Sequence, residues 1–307
     1  MKCVALQFRI HTREQTRMLS VIIPTYNSER TIKRLLDSFY VRPISTEYEI
    51  IIVDGCSTDS TIKICSEYNV KIINNPKIHA ASARNIGVAN SQGDIVAFID
   101  SDCIACPMWI DKIYQVFTNK DIVAIGGRMI QNTPSNDIEE FSGRVFVEVM
   151  IQFPVIEKEI SIDPFPSIIT ANCAYRKDFF ISIGGFDESC SNYLEDLDLF
   201  YRAYHSHSGK MLYLPEIFVK HSFPNTKKWL FDKYKQYGIG SSIFLISHNL
   251  RRKPTQLSHH IHYWTTWFRA GRQPKTKFSY VFIYLFGLVV GKTIGHLNYK
   301  RLTNNVK

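Results

Sequence analysis

The sequence has almost no acidic residues in its C-terminal part. Residues 221–307 contain 15 Lys and Arg but a single acid, Asp232, whereas residues 1–220 contain 22 Lys and Arg against 27 Asp and Glu. Such an unopposed basic block binds nucleic acid, anionic lipid headgroups or phosphate-bearing substrates. Aromatic residues alternate with these charges, as at Trp229, Tyr263 and Trp267, which is typical of helices at a membrane interface. We expect 226–307 to be a helical region that associates with a membrane surface; a solvated face of an ordinary core helix is the alternative.

Long apolar runs are scarce as well. The uncharged run 278–290 has 13 residues, or about 20 Å of helix against a hydrocarbon core of ~30 Å. This length favours shallow insertion, although a spanning segment at 278–297 stays open if Lys292 and His296 snorkel. Near the N-terminus, Gln7 and Arg9 interrupt any apolar stretch, so we expect no cleavable signal. The sequence thus predicts residues 1–17 as an extension and a protein at the cytoplasmic face of a membrane.

A disulfide framework is also missing. The seven cysteines are irregularly spaced, which indicates reduced thiols. Cys103 and Cys106 form one C-x-x-C, but no second one completes a zinc or redox site. We therefore expect small buried thiols at these positions.

What the sequence does contain is a regular alternation of short Ile- and Val-rich runs with helical patterns. The predicted strands are 19–23, 50–53, 70–73, 95–99 and 122–129, and the predicted helices are 29–40, 60–68, 79–90 and 107–118. This alternation indicates βαβ units and a mostly parallel sheet covered on both faces, an α/β fold. An irregular, proline-containing loop is expected at 150–170. The pattern is lost after Leu214, which predicts a domain boundary near 225.

Two carboxylates stand where the fourth predicted strand ends. Asp100 and Asp102 follow the apolar run 95–99, and paired carboxylates suit Mg²⁺ or Mn²⁺ bridging a diphosphate. A polar pair that merely ends the strand is the alternative. Nucleotides bind at the carboxyl ends of parallel strands. Other candidate nucleotide-binding residues fall at the same edge: Pro24, Thr25, Tyr26, Asn27 and Asp54.

Several motifs occur in a recognisable order along the chain. They are PTYNSER at 24–30, IIIVDGCSTDST at 50–61, ASARNIGVANSQGDIVAFIDSDC at 81–103, GGFDE at 184–188, YLEDLDLFYRA at 193–203, and His221. Taken together, this set resembles the inverting family 2 glycosyltransferases of GT-A fold, over residues 18–225. The resemblance implies a transferase that moves a sugar from a nucleotide-diphosphate donor, expected to be a UDP-sugar, to a hydroxyl of a lipid-linked or cell-surface glycan.

The resemblance also implies roles for individual residues. Asp196 corresponds to the general base, with Glu195 beside it. Asp102 and His221 correspond to ligands of a divalent cation, Mn²⁺ or Mg²⁺. Donor binding is implied for the strand-end residues above and for Arg84, Asp100 and Ser101, and the acceptor or sugar side for Asn172 and Asp198. No Q-x-x-R-W follows the Glu-Asp pair, so processive polymer synthesis is not expected.

Two other functions are alternatives to this interpretation. A nucleotidyltransferase would need a glycine-rich, arginine-containing loop after the first strand, and PTYNSER contains no glycine. A nucleic-acid-binding protein could use the basic tail, with steeply salt-dependent binding. That function leaves the D-x-D and Glu-Asp motifs unexplained, so we expect no nucleic-acid partner.

Overall fold

The computed structural model describes residues 18–147, 158–160, 168–188, 195–248 and 278–304. The predicted extension 1–17, most of the predicted loop 150–170 and the aromatic residues between 249 and 277 lie outside these ranges. Within them, the chain forms one nine-stranded sheet covered by helices and a pair of long C-terminal helices.

The first half of the sheet consists of the predicted βαβ units. In chain order these are β1 (Leu19–Thr25), α1 (Ile32–Phe39), β2 (Tyr48–Asp54), α2 (Thr61–Cys65), β3 (Lys71–Asn74), α3 (Ala80–Ala89) and β4 (Ile95–Ile99). β1 runs parallel to β2 and β4, and β2 runs parallel to β3. Each predicted strand and helix of this half overlaps an observed one.

The second half of the sheet is mixed. It contains β5 (Cys103–Ala105), α4 (Trp109–Val116), β6 (Ile122–Gln131), α5 (Asp137–Arg144), β7 (Lys158–Glu159), β8 (Asn172–Arg176), α6 (Lys177–Ser182), α7 (Glu195–His205) and β9 (Lys210–His221). The sheet order is β3-β2-β1-β4-β8-β6-β9-β5, with β7 paired to β9. β8 is antiparallel to β4 and β6, and β5 is antiparallel to β9. The predicted strand 122–129 is present as β6, whereas the last strand continues past Leu214 to His221.

The apolar core lies on both faces of the sheet because the central parallel strands β1, β2 and β4 are apolar at nearly every position. In β4, Ile95, Ala97 and Ile99 face one cluster, which includes Trp109 of α4, while Val96 and Phe98 face the other. Successive side chains of a strand point to opposite faces, so a continuous run of apolar residues requires cover on both sides. Helices α1 and α4 supply one layer, and α3, α6 and α7 supply the other. The carboxyl ends of the parallel strands are left free for a site.

The C-terminal helices, α8 (Lys227–Ser247) and α9 (Phe278–Asn304), lie side by side. Gly287 of α9 packs on Phe231 and Gly295 on Ile239, so the two helices run in the same direction. Side chains of α8 and α9 bury a third apolar cluster against Phe141 and Val145, which lie in and directly after α5. The pair is therefore attached to the sheet domain by packing as well as by the chain.

Helix α9 is longer than the uncharged run predicted. Its segment Ser279–His296 is long and apolar enough to cross a bilayer by length and composition, with a mean hydropathy of 1.2, and 39% of that segment is buried within the protein. A core helix of a soluble protein meets the same criteria. Shallow insertion and a spanning segment at 278–297 are both consistent with this helix.

Candidate functional site

The loops after β1 and β2 are joined by hydrogen bonds at the predicted edge of the sheet. Asp54 ends β2 opposite Thr25 of β1, and its Oδ2 accepts from the Ser57 backbone N–H at 2.9 Å. The Ser57 hydroxyl in turn accepts from the Asn27 N–H at 2.8 Å. Both carboxylate oxygens of Asp54 therefore accept hydrogen bonds from Ser57, in the loop after β2. In the loop after β1, the Tyr26 side chain is 53% exposed. The loop thus presents an aromatic ring on a fixed backbone.

The D-x-D segment is tied to the same edge. Ser101 Oγ lies 2.9 Å from Ser28 Oγ, which connects the loop after β4 to the loop after β1. Pro24 and Thr25 lie within β1, and the Thr25 hydroxyl donates to the Ile23 carbonyl at 3.2 Å. These two residues therefore shape the edge through the strand itself.

Arg84 of α3 joins two carboxylates from different elements. Its Nη2 lies 2.8 Å from Asp100 Oδ1, and its Nη1 lies 2.8 Å from Glu195 Oε1. The arginine side chain is only 4% exposed and lies over the Phe186 ring. A forked, permanently charged guanidinium suits such bridging. The resemblance implies donor binding for Arg84, and in the structure both of its terminal nitrogens pair with carboxylates, which holds α7 to the end of β4.

Asp196 differs in its surroundings from Glu195, its neighbour in the first turn of α7. Glu195 is buried and bound to Arg84. Burial and the negative charge of Glu195 raise the pKa of Asp196 to about 7, and the positive charge of Arg84 acts in the opposite direction. Asp196 is not fully buried. A partly accessible carboxylate of this pKa can accept a proton near neutral pH.

Asp102 and His221 form a second centre. His221 Nε2 lies 3.3 Å from Asp102 Oδ1, and the Cys103 sulfur completes a group whose ligand atoms all lie within 4.8 Å of one another. Asp102 Oδ1 is buried without a hydrogen-bond partner in the described part of the chain. Burial raises the pKa of Asp102, Asp100 raises it further, and His221 and Lys233 lower it. A buried carboxylate oxygen that lacks a donor and lies beside an imidazole nitrogen fits a divalent cation.

Lys233 is a residue of this site that the sequence analysis did not find. It belongs to α8, yet its positive charge acts on Asp102. The basic composition of 226–307 predicts that Lys233 lies at a membrane surface. The packing of α8 against the sheet domain instead brings Lys233 to the D-x-D segment.

Asn172 corrects the sequence analysis, which placed it at the acceptor side. It is 1% exposed, and its Nδ2 donates to the carbonyls of Arg128 and Ile217 at 2.9 and 2.8 Å. Its Oδ1 accepts from Trp109 Nε1 at 2.9 Å. Because its amide protons and oxygen are all used inside the sheet domain, Asn172 holds the interior together and does not face an acceptor.

Asp198 is also engaged on both oxygens. Oδ2 pairs with Arg202 at 2.6 Å, and Oδ1 lies 3.0 Å from His248 Nε2. The His248 ring also contacts the ring of Tyr201, with centroids 4.3 Å apart. Asp198 therefore connects α7 to the end of α8, a contact that no local sequence pattern indicates. The predicted residues that the structure does bring together are Arg84, Asp100, Ser101, Asp102, Glu195, Asp196 and His221.

Comparison with known proteins gives three findings. A family model described as "Glycosyl transferase family 2" matches residues 20–184. A Haemophilus influenzae protein named "Uncharacterized glycosyltransferase" is 31% identical over 193 residues, which are 59% of this chain and 60% of that protein. The O-antigen chain rhamnosyltransferase WbaN of Salmonella anatum is 26% identical over 230 residues, which are 72% of this chain and 71% of that protein.

Solved structures share the fold. Glucosyl-3-phosphoglycerate synthase from Mycobacterium tuberculosis, crystallised with Mn²⁺, uridine diphosphate and phosphoglyceric acid, superimposes with a TM-score of 0.54 at 18% identity, covering 77% of this chain and 80% of that one. Staphylococcus aureus TarS gives a TM-score of 0.51 at 19% identity, covering 79% of this chain and 41% of that one. At these identities the likeness concerns the fold, and it confirms the predicted GT-A architecture.

Proposed function

The chain belongs to glycosyl transferase family 2, and on that premise we propose that it transfers a sugar from a UDP-sugar to a hydroxyl of a lipid-linked or cell-surface glycan, with inversion at the anomeric carbon. The observation that carries the proposal is the Asp100–Arg84–Glu195 bridge. It fixes the D-x-D segment, where a donor diphosphate would bind, relative to the helix that bears Asp196. The name of the Salmonella relative, an O-antigen chain rhamnosyltransferase, supports a glycan acceptor.

On the donor side, Asp102 Oδ1 and His221 Nε2 would hold a divalent cation, Mn²⁺ or Mg²⁺, because they lie 3.3 Å apart and the oxygen has no other partner in the described residues. Such a cation neutralises charge on a leaving diphosphate. Asp54 and the exposed Tyr26 ring line the edge where the nucleoside would lie, and Ser101 keeps the D-x-D segment in place. The cation found with the Mycobacterium enzyme agrees with this assignment.

On the acceptor side, Asp196 would take the proton from the attacking hydroxyl. Its pKa of about 7 is well matched to this task, since a base works best with a pKa near the working pH. Glu195 stays with Arg84 and acts by holding α7. The hydroxyl oxygen then attacks the anomeric carbon opposite the diphosphate, the bond to the diphosphate oxygen breaks, and the configuration inverts in one displacement.

The region 226–307 would dock on an anionic membrane surface. On α9, Phe282, Phe286 and Val289 lie on one face and are 63%, 49% and 49% exposed, and the two rings stack with centroids 5.7 Å apart. Trp229 of α8 is 44% exposed. An apolar stripe within a region whose only acid is Asp232 matches the combination that interfacial helices use. A lipid-linked acceptor would be met at the same membrane surface.

The donor half of this proposal is tested by calorimetric titration with UDP-sugars in Mn²⁺. Asp102→Asn should abolish metal-dependent donor affinity and keep the fold, because the carboxylate that would face the cation is lost. Asp121→Asn, an exposed acid at the start of β6, is the matched control and should bind as the unmodified protein does. Equal Mn²⁺-dependent affinity in both variants would overturn the assignment of Asp102.

A further inference from the structure

The cation centre contains a sulfur atom that the proposed function does not use. Cys103 of β5 lies directly opposite His221 of β9 in the antiparallel ladder, so the two side chains leave the same face of the sheet. The Cys103 sulfur lies within 4.8 Å of both the Asp102 and His221 ligand atoms. One carboxylate oxygen, one imidazole nitrogen and one thiol sulfur therefore lie close enough to one another to share a metal ion.

We propose that Cys103 is a third ligand, which makes this centre a site for a borderline or soft divalent cation, Zn²⁺, Co²⁺ or Cd²⁺, in preference to Mg²⁺. The inference rests on the proposed function, since it concerns the same centre. Mg²⁺ takes oxygen ligands, whereas Zn²⁺ binds imidazole nitrogen, thiolate sulfur and carboxylate oxygen, so this set with an open fourth position suits it. The open position would be available to a diphosphate oxygen.

The distance between the nitrogen and oxygen ligand atoms agrees with this set. Zn²⁺ binds imidazole nitrogen and carboxylate oxygen at ~2.0–2.2 Å, which places two tetrahedral ligands about 3.4 Å apart. His221 Nε2 and Asp102 Oδ1 are separated by 3.3 Å. Within the described residues the thiol makes one long hydrogen bond, 3.8 Å to the Ala171 carbonyl, so metal binding would break only a weak contact of the sulfur. On binding, the S–H bond breaks, the sulfur–metal bond forms and the proton leaves to solvent, with no change of oxidation state.

Co²⁺ added to the metal-free full-length protein is the probe, because a thiolate bound to Co²⁺ absorbs in the near ultraviolet. We expect this band in the unmodified protein and its loss in Cys103→Ser. Cys106→Ser is the matched control: Cys106 is equally buried, and its sulfur faces the Glu216 carbonyl at 3.7 Å instead, so this variant should keep the band. Zn²⁺ affinity should fall by more than about 100-fold in Cys103→Ser, because loss of a direct ligand costs more than the ~10- to 100-fold that loss of an outer-shell partner costs, and Mg²⁺ affinity should change little.

The results separate this inference from the proposed function. Co²⁺ bound without the band, or a band and a Zn²⁺ affinity that survive in Cys103→Ser, would overturn the ligand role of Cys103 and leave the cation centre standing. Co²⁺ binding that is also unaffected by Asp102→Asn would overturn the centre itself. If Cys103→Ser does not fold, as judged by circular dichroism, Cys103→Ala replaces it, and a band that survives in that folded variant overturns a Cys103 ligand.

Discussion

At the scale of single residues, two adjacent carboxylates are separated into two tasks by their partners. Glu195 is buried and bound to Arg84 at 2.8 Å, so it is a fixed anion. Asp196 lies beside that anion, and its pKa is raised to about 7 by burial and by Glu195. A pair of titratable groups whose surroundings differ in this way is the usual arrangement for assigning acid–base roles.

Asp196→Asn should therefore reduce turnover by a factor on the order of 10² to 10⁴, the usual contribution of a positioned base, and preserve donor affinity. In the unmodified enzyme, kcat/KM should rise with pH through an ionisation near 7, because the base acts only when deprotonated. Transfer assays across pH, with donor affinity measured separately, check both statements. Survival of turnover, or its loss together with donor binding, would exclude Asp196 as the base.

Substitution of the charged neighbours of Asp196 should shift its pKa in a predictable direction. Glu195→Gln removes the negative charge that raises the pKa of Asp196, so the ionisation in kcat/KM should move to lower pH. Arg84→Met removes the charge that lowers the pKa, so the same ionisation should move to higher pH. If both variants move it in the same direction, the titrating group is not Asp196.

At the scale of secondary structure elements, the sequence predicts those elements whose form depends on short, local stretches of the chain. β1, β2 and β4 are apolar at nearly every position, so the βαβ half and its carboxyl edge follow from short stretches of sequence. The antiparallel insertion of β8 between β4 and β6 depends on partners far along the chain, and no local pattern reports it. Contacts of this kind also hold Asn172 in the interior and bring Lys233 and His248 to the site, and the local sequence indicates none of them.

Asn172 is the clearest test of that correction, because it connects β8 to the carbonyls of Arg128 and Ile217 and to Trp109. Asn172→Ala should lower the free energy of unfolding by about 2–4 kcal/mol, since buried polar groups lose their partners at ~1–3 kcal/mol each. The transfer rate per folded molecule should change little. Urea unfolding measures the first quantity and transfer assays the second.

Asn90→Ala is the matched control for this variant, because Asn90 is exposed and its amide donates within its own helix, to the Ile86 carbonyl at 2.9 Å. Asn90→Ala should lower the free energy of unfolding by well under about 1 kcal/mol. A stable Asn172→Ala protein that has lost its acceptor specificity would restore Asn172 to the acceptor side.

At the scale of the whole molecule, the basic C-terminal region and the sheet domain are not independent. Tyr234 of α8 and Tyr284 of α9 are buried with Phe141, and Lys233 acts on Asp102. Removing 226–307 would expose that apolar cluster and remove a charge from the donor site. Point substitutions on the outward face of α9 separate membrane docking from folding more cleanly than truncation does.

Phe282→Ser combined with Phe286→Ser should weaken binding to vesicles of anionic phospholipid on the order of tenfold or more, because buried apolar area supplies part of the attachment. Binding of the unmodified protein should also weaken as salt is raised, since each cation near an anionic leaflet contributes ~1 kcal/mol and is screened within a Debye length. It should not vanish, because the aromatic contribution does not depend on salt. Vesicle sedimentation over a range of salt concentrations measures both effects.

The matched control is Val41→Ser combined with Ile181→Ser, which removes apolar side chains of similar exposure, 66% and 60%, from the sheet domain. This pair should leave vesicle binding unchanged, because it lies outside α8 and α9. Equal losses in the two double variants would mean that exposed apolar area anywhere drives the association. If the unmodified protein does not bind vesicles at low salt, the proposed docking by 226–307 is wrong.

If the protein expressed in cells stays in the membrane fraction after both salt and alkaline carbonate washes, a spanning segment at 278–297 replaces shallow insertion. Carbonate removes peripheral proteins from membranes and leaves spanning helices in place.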